Sequence, residues 1–358
     1  MMNVQQAKIE QSFLPTTLMG REGQLATFEA VLKNPQMGGS LVVSGPAGIG
    51  KTTLVKAFEN FAREAGWRVV SDTPLKGLSE RMRGTYLPAL YESLTGQGSE
   101  NFADETLLNQ IDSLSCALQQ EEQGLLITVD QVDKSTPENI SELAHAIWVA
   151  QRKDLPVRWV IAGRTAEIRE LLESSTMVEF GVLEQLELCA FTRSQTEEVM
   201  RRALESCAEL NTESVSESLL ARACLATQGH PCMVYLVAEA IRQRASGDLS
   251  EKQLVSGIAS AQKKLGTLVL EPLLSKLSAG DRAFLKAMAE DECASKMSDI
   301  SARLGKNPQY AGVYRNRLLE SQMIRSTSYG KVTFVHPHLR EYLRSMPAQS
   351  AEDSFNSF

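Results

Sequence analysis

Short apolar runs alternate with stretches of helical periodicity between residues 40 and 190, and helical periodicity alone follows. Leu41-Val42-Val43, Trp67–Val70, Leu125–Val129 and Val157–Ala162 are too short for helices and fit buried strands of a parallel sheet. Between them, Gln24–Leu32 places Leu25, Phe28 and Leu32 on one side. Thr52–Ala65 does the same with Leu54, Phe58 and Phe61, and Gly66 closes it. Further helices are expected near Leu107–Leu118 and over 138–151, with Gly38-Gly39 as a break and 72–120 containing prolines, glycines and several acidic residues. Strand–helix alternation of this kind predicts a parallel sheet flanked by helices.

Beyond Ser194 the pattern predicts a small helical bundle. Thr192–Ser194 can cap a helix through Val199 and Leu204, and two more are expected over 216–227 and 232–245. The C-terminal part reads as helix Asp281–Ala289, with Phe284, Leu285 and Met288 inward, then a helix capped by Ser298 that turns at Gly305. A helix over Pro308–Ser321 is expected to face Val313, Leu318 and Leu319 inward, and Arg325–Val335 alternates around a Tyr329-Gly330 turn. Helix-turn-helix followed by a hairpin predicts a winged helix. The expected organisation is a core over 1–190, a helical lid over 191–270, a winged helix over 271–346 and a disordered tail over 347–358.

Composition narrows the class. The 358 residues suggest about two or three domains, and no apolar run approaches the roughly 20 residues needed to span a bilayer. Met1–Ser12 lacks the basic and apolar blocks of a secretory signal. The six cysteines (116, 189, 207, 224, 232, 293) form no CxxC pair, which argues against a disulfide framework or zinc site and for a cytoplasmic location. A net charge of −7 argues against a chain that coats nucleic acid. Lys296–Arg344, however, holds nine basic against three acidic residues, an asymmetry expected of a local polyanion contact.

The sharpest chemical signal is Gly45-Pro46-Ala47-Gly48-Ile49-Gly50-Lys51-Thr52, a full G-x-x-x-x-G-K-[ST] between a strand and a helix. Such a loop turns its backbone N–H groups onto phosphate oxygens, and the helix adds its positive end. Lys51 is expected to reach the outer phosphates of ATP or ADP, Thr52 to ligate Mg²⁺, and Thr53 to support the loop or the α-phosphate. Asp130, ending an apolar strand, is the expected metal-side carboxylate, or else a strand-end residue capping the next helix. Many ATPases place glutamate next; here it is Gln131, which can orient a water but cannot take its proton, and Asp133 is offset by two. Tight binding with slow hydrolysis is expected.

With these motifs the chain resembles the AAA+/STAND branch of P-loop ATPases, close to origin-recognition-like and archaeal-type ATPases. Leu18-Met19-Gly20-Arg21-Glu22 looks like the GRE box, which implies Gly20 and Arg21 beside the adenine. Val160-Ile161-Ala162-Gly163-Arg164 looks like the strand whose end senses the γ-phosphate, a role that implies Arg164. Gln228-Gly229-His230-Pro231 resembles the GxP motif, with Pro231 near the base. Phe334–Leu339 resembles the segment whose histidine, here His336, meets the β-phosphate of ADP, although Pro337 replaces the usual aspartate. Arg169 is a candidate inter-subunit finger or a solvated residue. The winged helix is expected to read duplex DNA, with Gln309, Tyr310, Tyr314, Arg315, Arg317 and Lys331 as contacts, or to act as the autoinhibitory module of a signalling switch, and the two roles are compatible. A homo-oligomer or a separate effector is the remaining partner class.

Overall fold

The computed structural model describes residues 18–34, 39–178, 183–205, 215–244 and 248–346. The lead-in 1–17, Gly38, Cys207 and the expected disordered tail 347–358 lie outside the described residues. The chain forms two compact units: one runs to Gly45 and from Gly50 to Cys189, and the other comprises Pro46–Ile49 and Ala190 onward.

The first unit holds a five-stranded parallel sheet. Its elements run α1 (Glu22–Lys33), β1 (Ser40–Ser44), α2 (Lys51–Glu64), β2 (Arg68–Asp72), α3 (Leu107–Gln120), β3 (Leu125–Val132), α4 (Thr136–Arg152), β4 (Val157–Gly163), α5 (Thr165–Glu173) and β5 (Glu184–Glu187). The strand order is β2-β3-β4-β1-β5, so β4 lies between β1 and β3. Strands β1 and β4 are buried along their whole length, which explains why they read as unbroken apolar runs. At the β1–α2 side, Phe28 of α1 stacks on Phe58 of α2 at 4.3 Å between ring centroids.

Two features escape the apolar pattern. Strand β5 is Glu-Gln-Leu-Glu at the sheet edge, where one side faces no further strand and charge is tolerated. Residues 78–95 are also helical, with a π-turn over Met82–Tyr86, in a stretch where the sequence pattern assigns no element. Gln110, fully buried, donates to the carbonyls of Arg83 (3.0 Å) and Phe102 (2.7 Å) and so pins that segment to α3.

The second unit begins with α6 (Arg193–Glu205), α7 (Glu217–Thr227), α8 (Pro231–Arg242) and α9 (Glu251–Leu265). The last is opened by a capping box of Ser250 and Gln253 that periodicity alone does not reveal. Helical residues continue from α9 through Ser275, so the chain makes no loop at residue 270. Then follow α10 (Ala279–Ala289), β6 (Ser295–Lys296), α11 (Met297–Leu304), α12 (Pro308–Glu320), β7 (Ile324–Ser328), β8 (Lys331–Phe334) and α13 (Leu339–Ser345). The antiparallel sheet β6-β8-β7 beside α10, α11 and α12 is consistent with a winged helix.

Two expectations here are corrected. Ser298 lies inside α11, whose N-cap is Lys296, and its hydroxyl turns to Asp299. Val313 is 58% exposed, because the buried face of α12 passes through Ala311 and Leu318 instead.

Candidate functional site

The site is built at the carboxyl ends of the parallel strands, where such sheets gather ligands. The chain leaves β1 at Ser44 and returns as α2 at Lys51. Gly45 (φ 152°), Gly48 (φ 72°) and Gly50 (φ 95°) all take values that L side chains rarely adopt. Gly48 is also confined from outside: a Cβ there would come within 2.6 Å of His230 Cε1. The tip Pro46–Ile49 belongs with the second unit, where His230 Nε2 lies 3.1 Å from the Ala47 carbonyl and the Cys232 amide donates to Gly48. His230 is part of the quoted Gln228–Pro231 motif, but only the fold brings it to Ala47.

Lys51 opens α2, and its ammonium donates to the Gly45 carbonyl at 2.8 Å. Burial pushes its pKa down to about 8; Asp130 and Glu167 oppose that shift, and Arg164 adds to it. One residue on, the Thr52 hydroxyl donates to Asp130 Oδ2 at 2.6 Å. Asp130 Oδ1 accepts from the Gln131 amide at 2.8 Å, so both carboxylate oxygens are oriented. Burial raises the pKa of Asp130, against the pull of the Thr52 hydroxyl, the Gln131 amide and Lys51. Two hard oxygens, a hydroxyl and a carboxylate, stand together beside a phosphate loop; that donor set fits Mg²⁺, which takes few protein ligands and shares the rest between water and phosphate.

Gln131 sits in a register shift between β3 and β4, with φ 65° and an exposed side chain. The bulge re-aims the residue after Asp130 relative to a regular strand. Asp133 is spent on a turn: its Oδ1 accepts from the Ser135 amide (2.8 Å) and hydroxyl (2.7 Å).

Arg164 follows Gly163, which is in register with Ser44 of β1 on one side and Val132 of β3 on the other. Its guanidinium is engaged by both oxygens of Glu167, one at 2.9 Å from Nε. Glu167 is buried and was missed in the sequence; an Arg-x-x-Glu spacing at a helix start is the signal that could have found it. Arg169, the candidate finger, is exposed on α5.

Gly20 (φ 70°) donates its amide to Glu22 Oε1 at 3.0 Å, and buried Arg21 donates to the Cys189 carbonyl at 2.6 Å. In the second unit, Pro231 is the first residue of α8, and His336 is buried just after β8. His338, missed by sequence reading, is buried with φ 63°, its Nε2 3.3 Å from the Thr227 carbonyl.

The C-terminal basic stretch is rearranged by folding. Arg303 pairs with Asp291 and Glu290, Arg344 pairs with Glu292 and bonds the Ala289 carbonyl, and Arg340 bonds the Met288, Asp291 and Cys293 carbonyls. These arginines neutralise the carboxyl end of α10 and the acids beyond it, which lie just before the stretch in which the excess was counted. Arg303 beside Asp291 holds that carboxyl down at about 2. Arg317 donates to buried Asp281 at 2.8 Å, and Tyr314 lies against Gly280, where a Cβ would come within 2.3 Å of its ring. Arg315 bonds Ser326 on β7, while Gln309 and Tyr310 are exposed and Lys331 starts β8. Tyr314 thus lies against α10, and Arg317, half-exposed, is ion-paired to it.

Residues 17–161 match the family described as AAA ATPase domain, and residues 268–343 match a domain of unknown function, DUF8462. No curated protein matches. Among solved structures, the fold is similar to the Walker-type ATPase PABY2304 of Pyrococcus abyssi, at 13% identity and a TM-score of 0.69, over 93% of this chain and 99% of that one. It is also similar to the ORC2 protein of Aeropyrum pernix in its ADPNP–ADP complexes, at 15% identity and a TM-score of 0.61, over 92% of this chain and 94% of that one. The ADP form of that protein gives 15% identity and a TM-score of 0.54 over the same shares. Among the described residues, no helix is long and apolar enough to cross a membrane.

Proposed function

We propose, for a chain of the AAA+ P-loop ATPase class whose residues 17–161 are an AAA ATPase domain, that it binds ATP and ADP, hydrolyses ATP slowly, and uses its nucleotide state to control the C-terminal domain. The observation that carries the reading is the convergence of Lys51, Thr52 and Asp130, with the Thr52 hydroxyl 2.6 Å from the carboxylate. Lys51 neutralises the outer phosphates, the Gly45–Gly50 amides cradle them, and Thr53 supports the loop. Thr52 and Asp130 hold Mg²⁺, which supplies charge compensation on the phosphate oxygens. Gln131 orients the attacking water but takes no proton, and Asp133 is occupied by its turn, so hydrolysis to ADP and phosphate is slow. Gly20, Arg21, Pro231 and His336 are assigned to the nucleotide by resemblance alone. The ORC2 relative was solved with ADPNP and ADP, which supports nucleotide use in this fold.

The C-terminal domain contacts duplex DNA through the exposed start of α12, Gln309 and Tyr310, together with Arg315 and Lys331. A second reading, a switch whose C-terminal domain packs against protein rather than DNA, is favoured by the pairing of Arg303, Arg317 and Arg344 with acids of their own domain. Titrating labelled duplex at several salt concentrations, with ATP or ADP present, separates the two. Salt-sensitive binding in either state supports the first; no binding in both removes it. The nucleotide reading itself fails if the intact protein binds neither ATP nor ADP, or if Lys51→Ala leaves affinity unchanged.

A further inference from the structure

We infer that Glu167 is a positioning residue that sets the preference of the site for ATP over ADP, by competing with the γ-phosphate for Arg164. The inference rests on the nucleotide reading above and deepens it. Arg164 leaves β4 one residue beyond Gly163, and Gly163 is in register with Ser44, the last residue of β1 before the glycine loop. The guanidinium is therefore delivered to the strand edge between the loop and Asp130. There it is closed on Glu167, with Nε 2.9 Å from Oε2 and the second nitrogen engaged by Oε1. The Glu167 side chain is 10% exposed and that of Arg164 31% exposed, so the arginine is the more accessible member of the pair.

Charge makes the same point. Lys51 feels both members of the pair, Glu167 raising its pKa and Arg164 lowering it, so the pair stands within electrostatic reach of the ammonium that meets the phosphates. Lys51, Asp130, Arg164 and Glu167 together are neutral, two cations against two anions. A γ-phosphate arriving beside Lys51 is a second anion for Arg164, and it competes with the charge-assisted Glu167 pair for the same cation. ADP lacks that group and leaves the pair closed. The carboxylate of Glu167 therefore taxes ATP selectively, and removing its charge should lift the tax.

The test measures ATP and ADP affinities of the intact protein by calorimetry, for wild type, Glu167→Gln, Glu167→Asp, Arg164→Ala and the Arg164→Ala/Glu167→Gln double variant. Glu167→Gln should raise the ratio of ATP to ADP affinity by about tenfold. Glu167→Asp, which keeps the charge, should return the ratio toward wild type. In the Arg164→Ala background the second substitution should leave the ratio where Arg164→Ala alone puts it. A wild-type chain that binds both nucleotides while Glu167→Gln leaves the ratio unchanged overturns this inference and spares the nucleotide reading. The same follows if Glu167→Gln raises the ratio equally without Arg164, since a general field effect would then suffice. A wild-type chain that binds neither nucleotide overturns both.

Discussion

The hydroxyl of Thr52 reaches Asp130 Oδ2 across 78 residues of sequence, at 2.6 Å, and thereby joins the helix after the glycine loop to the end of β3. The contact depends on strand order: β4 separates β1 from β3, and the first turn of α2 crosses that separation. Because the carboxylate is buried, it is costly unless compensated by the hydroxyl, the Gln131 amide and Lys51.

Replacing Asp130 by Asn keeps the shape and removes the charge. Nucleotide binding measured with and without Mg²⁺ should lose its metal dependence, with affinity in Mg²⁺ falling about tenfold or more. Thr52→Ala should do the same, and the double variant should cost less than the sum of the two because they act on one ion. Unchanged metal dependence in Asp130→Asn would falsify the assignment.

The depressed pKa of Lys51 gives the site a pH signature. Below about 8 the folded chain carries Lys51 charged and bears the burial penalty in full. As pH rises from there toward the ordinary value of 10.5, the folded chain sheds that proton before the unfolded chain does, so this group's contribution to stability increases. Bound phosphate should draw the proton back. Calorimetry of ATP binding near pH 8.5, in buffers of different ionisation enthalpy, should therefore register proton uptake, and Lys51→Met should abolish it. No uptake in the wild type would remove Lys51 from contact with phosphate.

Gln131 tests the cause of slow hydrolysis. It already holds φ 65° at the bulge, and glutamate has the same backbone demands, so Gln131→Glu should fold normally. Single-turnover hydrolysis should rise by a factor on the order of 10² if a water is oriented there and lacks only a base. An unchanged rate with intact ATP binding would mean that the bulge aims residue 131 away from that water.

In the C-terminal domain, neighbouring arginines should separate by readout. Arg317→Ala leaves the buried Asp281 carboxylate to the Ser278 amide and hydroxyl alone and should cost about 1 kcal/mol of stability in a denaturant titration. Arg315→Ala and Lys331→Ala should leave stability nearly unchanged while each reduces the salt slope of duplex binding by about one. A stability loss for Arg315→Ala equal to that of Arg317→Ala would contradict the division.

What the sequence by itself determined is local. The glycine loop, the apolar strands β1, β3 and β4, and the amphipathic faces of α1, α2 and α10 were legible because short-range sterics and burial periodicity write them into neighbouring residues. Only the tertiary structure decided which distant charges meet. His230 reaching the Ala47 carbonyl, and Arg303, Arg340 and Arg344 closing the end of α10, depend on strand order and helix packing, which a linear count of charge does not register. The polar strand β5 escaped for a related reason: an edge strand earns its place by backbone pairing with β1, and backbone hydrogen bonds leave little trace in side-chain pattern.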